Sequence, residues 1–196
     1  MSTVNTTNLK NPSSGSNNIV LATDGSATIA TLSSTTITGT TIQGTIKSGT
    51  AVASTSGTSI DFTSIPSWVK RITVMLQGVS GNGASHNLLQ LGTSSGVTTS
   101  GYISSYGYFG STFSTTIGFG VYAGASGEAV HGNAIITNIS GNNWVMSYSG
   151  AVSNGALMAV GGGSIALGAT LDRIRLTHIN GTDTFDAGSI NILYEG

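Results

Sequence analysis

A strict alternation of apolar and other side chains is what most constrains this chain. In the run RITVMLQGV, Ile72, Val74 and Leu76 fall on one side of an extended strand, and Thr73 and Met75 fall on the other. A helix cannot satisfy a period of two residues. About eight to ten short runs of this kind follow from residue 56 onward, at spacings of roughly 8–14 residues. They predict a jelly-roll-like antiparallel β-sandwich.

The composition indicates the same fold class. Charged residues make up only 7% of the chain, against about a quarter in an average soluble protein. Helices depend on Ala, Leu, Glu, Lys and Arg, whereas Thr, Val, Ile and Tyr suit a pleated surface. The 29 glycines, with abundant asparagine and serine, supply turns. We therefore predict an all-β protein.

The charge balance and the cysteine count exclude several classes of partner. The net charge is −1, from six basic and seven acidic residues, so there is no basic footprint for nucleic acid. Without cysteine there is no disulfide framework and no thiolate metal site. The first residues lack a signal-peptide pattern, and no run approaches the roughly 18 apolar residues of a membrane span. We expect synthesis inside a cell, with no nucleic-acid or membrane partner.

Residues 1–55 differ in composition from the rest of the chain. They contain no aromatic residue and few charges, so they cannot bury enough apolar surface to form a core of their own. Within them, NNIVLATDGSATIATL has the pattern of a strand, an Asp-Gly turn and a second strand. We predict an extended N-terminal arm over residues 1–55, held by a partner, followed by the sandwich domain at residues 56–196.

Three isoleucines are the candidate apolar contacts of this arm. Ile37, Ile42 and Ile46 are separated by four or five positions, with glycines between them. Segments with one apolar residue each can wrap around two copies of themselves on a three-fold axis. A Ser/Thr-rich linker with scattered isoleucines explains the same residues, and both interpretations stay open.

The run SIPSWVK predicts a corner between two strands. Pro66 fixes its own backbone and keeps the residue before it extended. We expect Trp68 to close the core beneath this corner. Lys70 and Arg71 are adjacent and therefore point to opposite faces, and Asp61 on the preceding strand is the expected carboxylate partner.

Residues that could carry chemistry are sparse. Asp183 and Asp186 in GTDTFDAG have the residue type of a glycosidase acid pair or of a Ca²⁺ loop, but their setting favours turn residues. His86, His131 and His178 are isolated in sequence, so each is expected at the surface or at an interface. We predict no catalytic residue, no metal site and no cofactor.

Two glycine-containing runs match nucleotide or nucleophile motifs only superficially. GTSSG, from Gly92 to Gly96, fits the G-x-S-x-G pattern but lies between two predicted strands, whereas a nucleophile elbow leads into a helix. VGGGSIALG has no following helix whose N-terminus could bind phosphate. We interpret the first as a turn and reject the second as a nucleotide site.

The stretch GYISSYGYFGSTF is the one candidate binding feature. Tyrosine rings among small residues suit contacts with sugars or proteins, because each ring combines apolar area with a polar tip. The same rings could fill the core of a protein with little other bulk, the interpretation that we prefer, or form a subunit interface. The candidate residues are Tyr102, Tyr106, Tyr108, Phe109 and Phe113.

Several longer runs resemble a module of structural proteins from tailed bacteriophages. These are GTSIDFTSIPSWVKRITVML, LLQLGTSSGVTTSGY and LDRIRLTHINGTDTFDAGSINILYEG. NLKNPSSGSNNIVLATDGSAT resembles the lead-in that such proteins often carry. The resemblance covers most of the chain apart from the middle, about residues 102–165. It implies a virion component with a β-sandwich, often trimeric, and brings no catalytic motif.

Two functions follow as expectations from the resemblance. The first is a non-enzymatic decoration, or cement, protein that stabilises the capsid from its outer surface, with partners in its own homotrimer and in the major capsid protein. The alternative is a short tail fibre or receptor-binding protein that contacts tail proteins and a host surface glycan. Either protein is made in the bacterial cytoplasm and ends on the virion exterior. A glycan-degrading enzyme would need an acid pair that the sequence does not offer.

Overall fold

The computed structural model describes residues 46–196, the strands at 8–9, 19–21 and 27–29, and Ser13. The chain divides into two units, residues 1–42 and residues 43–196, and each is described by itself.

The first unit contains a three-stranded antiparallel sheet in the order β1-β2-β3. Ile19 pairs with Ile29, and Leu21 pairs with Ala27. This pairing confirms the hairpin predicted around the Asp-Gly turn. Ile37 lies outside the described residues, as does Ile42. The strands are β1 (Asn8–Leu9), β2 (Ile19–Leu21) and β3 (Ala27–Ile29).

The second unit is built from strands alone in its described part. They are β4 (Ile46–Ser48), β5 (Val52–Ala53), β6 (Ser59–Phe62), β7 (Arg71–Gly81), β8 (Asn87–Thr93), β9 (Gly96–Val97), β10 (Ile103–Tyr108), β11 (Ser111–Thr115), β12 (Phe119–Val121), β13 (Val130–Ser140), β14 (Asn143–Val152), β15 (Leu157–Ala166), β16 (Arg173–His178) and β17 (Phe185–Glu195).

These strands form two antiparallel sheets. The larger, nine-stranded sheet has the order β11-β10-β15-β14-β13-β7-β17-β4, with β5 also pairing β17. The smaller, five-stranded sheet has the order β12-β8-β16-β6, with β9 pairing β8. The two sheets bury a common apolar layer. The predicted all-β, antiparallel sandwich is confirmed.

Alternation along the strands produces that layer. On β7, Ile72, Val74 and Leu76 are buried, whereas Thr73 and Met75 between them are only partly covered. The face predicted from the sequence is therefore confirmed. The run GTSSG is also a turn, since β8 and β9 pair on either side of it.

Residues just before position 55 belong to the larger sheet. Ser48 on β4 pairs with Leu193, and Val52 on β5 pairs with Ile190, both on β17. The predicted arm ends near residue 55, whereas Ile46 already pairs with Glu195 in this sheet. The side chain of Ile46 is exposed.

The prediction that Trp68 closes the core is wrong. Trp68 is 37% exposed and packs against Tyr194 with ring centroids 5.9 Å apart. Trp144 on β14 is only 4% exposed and lines a cavity of about 90 Å³ together with Pro66 and Val69. A residue far along the chain thus closes the corner, which no local pattern at SIPSWVK could indicate.

The predicted partner of the adjacent basic pair is also wrong. Asp61 accepts two hydrogen bonds from Arg175, at 2.7 and 2.8 Å, because β6 and β16 pair within the smaller sheet. Arg71 instead lies 3.1 Å from Glu195 on the neighbouring strand of the larger sheet. The strand after the corner enters the other sheet, which separates Arg71 from Asp61.

The two tryptophans should differ sharply in their effect on stability. We expect Trp144→Ala to lower the free energy of unfolding by about 3–5 kcal/mol, because it opens the core. Trp68→Ala should cost only about 1 kcal/mol, the scale of one aromatic pair. Urea denaturation of both variants measures the difference. Equal losses would contradict the assignment of Trp144 as the core residue.

Candidate functional site

The structure divides the predicted aromatic stretch between core and surface. Tyr102 is buried, and its hydroxyl accepts a hydrogen bond from the backbone N–H of Leu91 at 2.7 Å. Its ring meets Phe119 edge to face, with centroids 5.0 Å apart. Burial raises the pKa of Tyr102 to about 12. This tyrosine ties the two sheets together and is not available to a ligand.

His86 occupies the centre of an aromatic cluster. Its ring lies 5.3 Å from Tyr106, 4.6 Å from Phe113 and 4.9 Å from Tyr122, between ring centroids. Burial lowers the pKa of His86, and the nearby charge of Glu128 opposes that shift in part. The rings of Tyr106 and Phe113 therefore pack on a histidine of the same chain.

Phe109 is the aromatic side chain that the hairpin leaves free. It is fully exposed in the turn between β10 and β11, beside Gly110, whose φ of 94° favours glycine. Tyr108 next to it is half-buried and packs edge-on against Tyr122, with centroids 4.7 Å apart. Of the five predicted residues, Phe109 offers the most apolar area to a partner.

The glycine run on β15 has a packing role. A Cβ on Gly161 would press on Tyr106, and one on Gly163 would meet the ring of Phe119. These two glycines face inward and leave space for aromatic rings. Gly162 has the opposite phase and faces outward. The run therefore serves ring packing, and it lies within a strand.

The outer side of β11, β10, β15 and β14 forms what we term the uncharged face. None of these four strands contains a charged residue. Ile103, Met158 and Val160 are 76%, 82% and 62% exposed on this side. Val160 stands opposite Gly107 on β10 and Ser149 on β14, so small residues surround the exposed apolar ones.

The acidic residues singled out in the sequence make local hydrogen bonds in the loop before β17 and at the start of that strand. Asp183 accepts hydrogen bonds from the Asn180 side chain at 2.7 Å and from the Ser85 backbone at 3.0 Å. These bonds, that of Asn180 first, hold the pKa of Asp183 below its ordinary value. Asp186 bonds to Ser80. In the described part of the chain, no three His, Asp or Glu residues gather as a metal site would require.

The expectation that every histidine lies at the surface or an interface is wrong for His178. Its ring is buried against Phe185, with centroids 4.5 Å apart. Burial is the main cause that lowers the pKa of His178. One of its ring nitrogens lies 3.1 Å from the backbone oxygen of Asp183, so the histidine fixes the loop before β17.

His131 makes a contact with a serine whose geometry argues against nucleophile activation. Its Nδ1 accepts the backbone N–H of Gly78 at 3.2 Å, which places the proton of the neutral ring on Nε2. Nε2 lies 3.3 Å from the hydroxyl of Ser153. A protonated nitrogen cannot remove the serine proton, so this pair lacks the base that a nucleophilic serine needs.

Comparison of the chain with protein-family models, with curated proteins and with solved structures finds no significant match. A search of the described residues for a helix long and apolar enough to cross a membrane also finds none.

The uncharged face and the cluster around His86 were not among the features predicted from the sequence. A signal for the first was present, since Ile103 has the opposite phase to Tyr102 and Tyr106 on the same run. Met158 and Val160 likewise alternate with Ala159. No local signal could identify His86, because its ring neighbours come from β10, β11 and the residue after β12.

Stability should fall as the pH drops below about 6.5, the ordinary pKa of histidine. Burial lowers the folded-state pKa of His86 and of His178, so the unfolded chain binds more protons in this range. His86→Phe, which keeps a ring, should reduce the dependence. Urea denaturation at about pH 5.5 and 7.5 measures both effects. An unchanged pH slope in the variant would contradict the role of His86.

Proposed function

We propose that this chain is a non-enzymatic structural protein of a bacteriophage virion, a decoration protein bound to the outer surface of the head. The uncharged face is the observation that carries the structural role. The phage assignment is supported by the resemblance of the runs around Pro66, Gly92 and Asp183 to virion modules. The expected partners are two further copies of the chain and the major capsid protein.

The chemistry of the uncharged face suits packing between subunits. Cores of protein interfaces are depleted in charge and enriched in methionine and aromatic side chains. Copies of one chain bring identical surfaces or fixed pairs of surfaces together, and strands without charged residues meet without like-charge repulsion. The exposed Met158 and Val160 supply apolar area, and Gly162 on the same face has no side chain that would block a close approach.

Residues 1–55 are proposed as the attachment arm. The end of this segment is anchored, because β4 and β5 pair with β17 at the edge of the larger sheet. A mechanical load on the arm would therefore be transmitted to the sandwich through the backbone hydrogen bonds of β4 and β5. Three arms on a trimer would bind the shell with an avidity that a single arm lacks.

A short tail fibre or receptor-binding protein is the second candidate, and Phe109 favours it. A fully exposed aromatic side chain at a hairpin tip is suited to contact a partner beyond the sandwich. Within this alternative, the hairpin between β10 and β11 would point toward the host surface, and the arm would attach to tail proteins.

A sedimentation assay separates the two functions. The purified chain is mixed with heads of the phage that lack it, and separately with host cells. We expect saturable sedimentation with heads and a gain in their resistance to heat, since a ligand of the assembled shell stabilises that shell. Binding to cells, competed by host polysaccharide, would favour the tail fibre. Binding to neither would contradict both functions.

A charge on the uncharged face should abolish self-association. We expect the native chain to have three times the 19.6 kDa mass of one copy in light scattering. Val160→Asp should give single copies with an unchanged circular dichroism spectrum, because a buried unpaired carboxylate is costly. Ile139→Asp is the matched control, since Ile139 is equally exposed (65%) but lies at the end of β13. A trimer that persists in Val160→Asp would rule out this interface.

A further inference from the structure

A polar groove lies on the outer face of the smaller sheet. Its volume is about 310 Å³, at the lower end of the range for small-molecule sites. Leu88 and Gln90 on β8 and Thr177 on β16 form its floor. Ile117, from the loop between β11 and β12, and Ile179, after β16, form its sides.

Three polar side chains form a row across the strands at this groove. Arg175 on β16 stands opposite Gln90 on β8 and opposite Asp61 on β6. The Nε and Nη2 groups of Arg175 both donate to the Asp61 carboxylate. This two-bonded arrangement holds the guanidinium plane in place. Asp61 itself does not line the groove and acts as a positioning residue.

Side chains at the groove have donor and acceptor groups that make no hydrogen bond within the described residues. Within the described residues, Nη1 of Arg175 makes no hydrogen bond, so its two N–H groups are free to donate. The Gln90 amide donates to the backbone oxygen of Ile117 at 2.8 Å, which leaves its Oε1 as an acceptor. Thr177 donates to the backbone oxygen of Thr58 at 2.8 Å and keeps lone pairs to accept.

The charge of the groove points to a neutral ligand. Asp61 balances Arg175. His178 also lines the groove, but its ring is buried against Phe185 and burial lowers its pKa, which favours the neutral form. The other polar groups of the lining are uncharged. An anion would meet a guanidinium that is already neutralised, and a cation would meet no free carboxylate. Donors and acceptors stand beside the partly exposed apolar side chains of Ile117 and Ile179. A pyranose ring presents the same combination, with hydroxyl groups at its edge and C–H groups on its faces.

We propose that this groove binds a neutral saccharide, with Arg175 donating to ring hydroxyls and Gln90 accepting from them. The site lies on the other sheet from the uncharged face, and Phe109 does not line it. It therefore does not depend on the proposed attachment to heads, and it places sugar recognition at residues other than the tyrosine-rich stretch.

The test is calorimetric titration of the full chain with separate sugars. The neutral probes are the methyl glycosides of glucose, galactose and mannose, and N-acetylglucosamine; glucuronate is the anionic probe. We expect saturable binding of at least one neutral sugar. Arg175→Lys keeps the charge but loses the planar donors, so affinity should fall about tenfold, the value of one hydrogen bond of 1.4 kcal/mol.

Matched variants separate recognition from folding. Arg173→Lys is the control. Arg173 lies on β16, as Arg175 does, and forms an ion pair with Asp172 at 3.1 Å, but it does not line the groove. This variant should leave the affinity unchanged. Asp61→Asn should shift preference toward glucuronate, because Arg175 is then unbalanced. Failure of every neutral sugar to bind, tighter binding of glucuronate by the native chain, or equal losses in Arg173→Lys and Arg175→Lys would each overturn the proposal. Sedimentation with heads is a separate readout.

Discussion

The ring of Tyr106 spans the space between the two sheets, and much of the molecule depends on the glycines that make room for it. A Cβ on Gly120 of β12 would overlap the ring, and one on Gly161 would press on the Tyr106 Cβ. Because the ring fits, β10 stays close to the smaller sheet, and the ring of His86 packs against that of Tyr106. A chain with little charge and few bulky residues gains a dense core by setting large rings against glycine.

The features that the sequence predicts well are local. The alternation of Ile72, Val74 and Leu76 needs only the geometry of one strand, and the GTSSG turn needs only its own residues. The ion pair of Asp61 joins residues 114 positions apart, so its partner follows from strand order, which local patterns do not determine. For the same reason the core tryptophan is Trp144 and not the one beside the proline corner.

The candidate sites illustrate the same limit. Composition correctly indicates that aromatic rings fill the core at Tyr102 and Tyr106, since the chain offers little other bulk. The uncharged face arises only when β11, β10, β15 and β14 become neighbours, although each strand by itself is visibly free of charge. The groove at Arg175 requires three strands and a loop to converge. The two outer faces of one sandwich thus carry different chemistry, uncharged with exposed apolar side chains on one side, and polar with a guanidinium on the other.

The position of β17 has a consequence for how the chain reaches this structure. It lies between β7 on one side and β4 and β5 on the other, and Asn191 bonds to Ser48 across 143 positions of sequence. Until residues 185–195 have left the ribosome, β7 has an open edge and the larger sheet is split. Closing such distant pairs is entropically expensive, and all-β domains of this kind fold in about milliseconds to seconds. From the time β7 emerges until β17 follows, the chain therefore exposes an unpaired strand edge, to which a chaperone or a neighbouring nascent copy would have access.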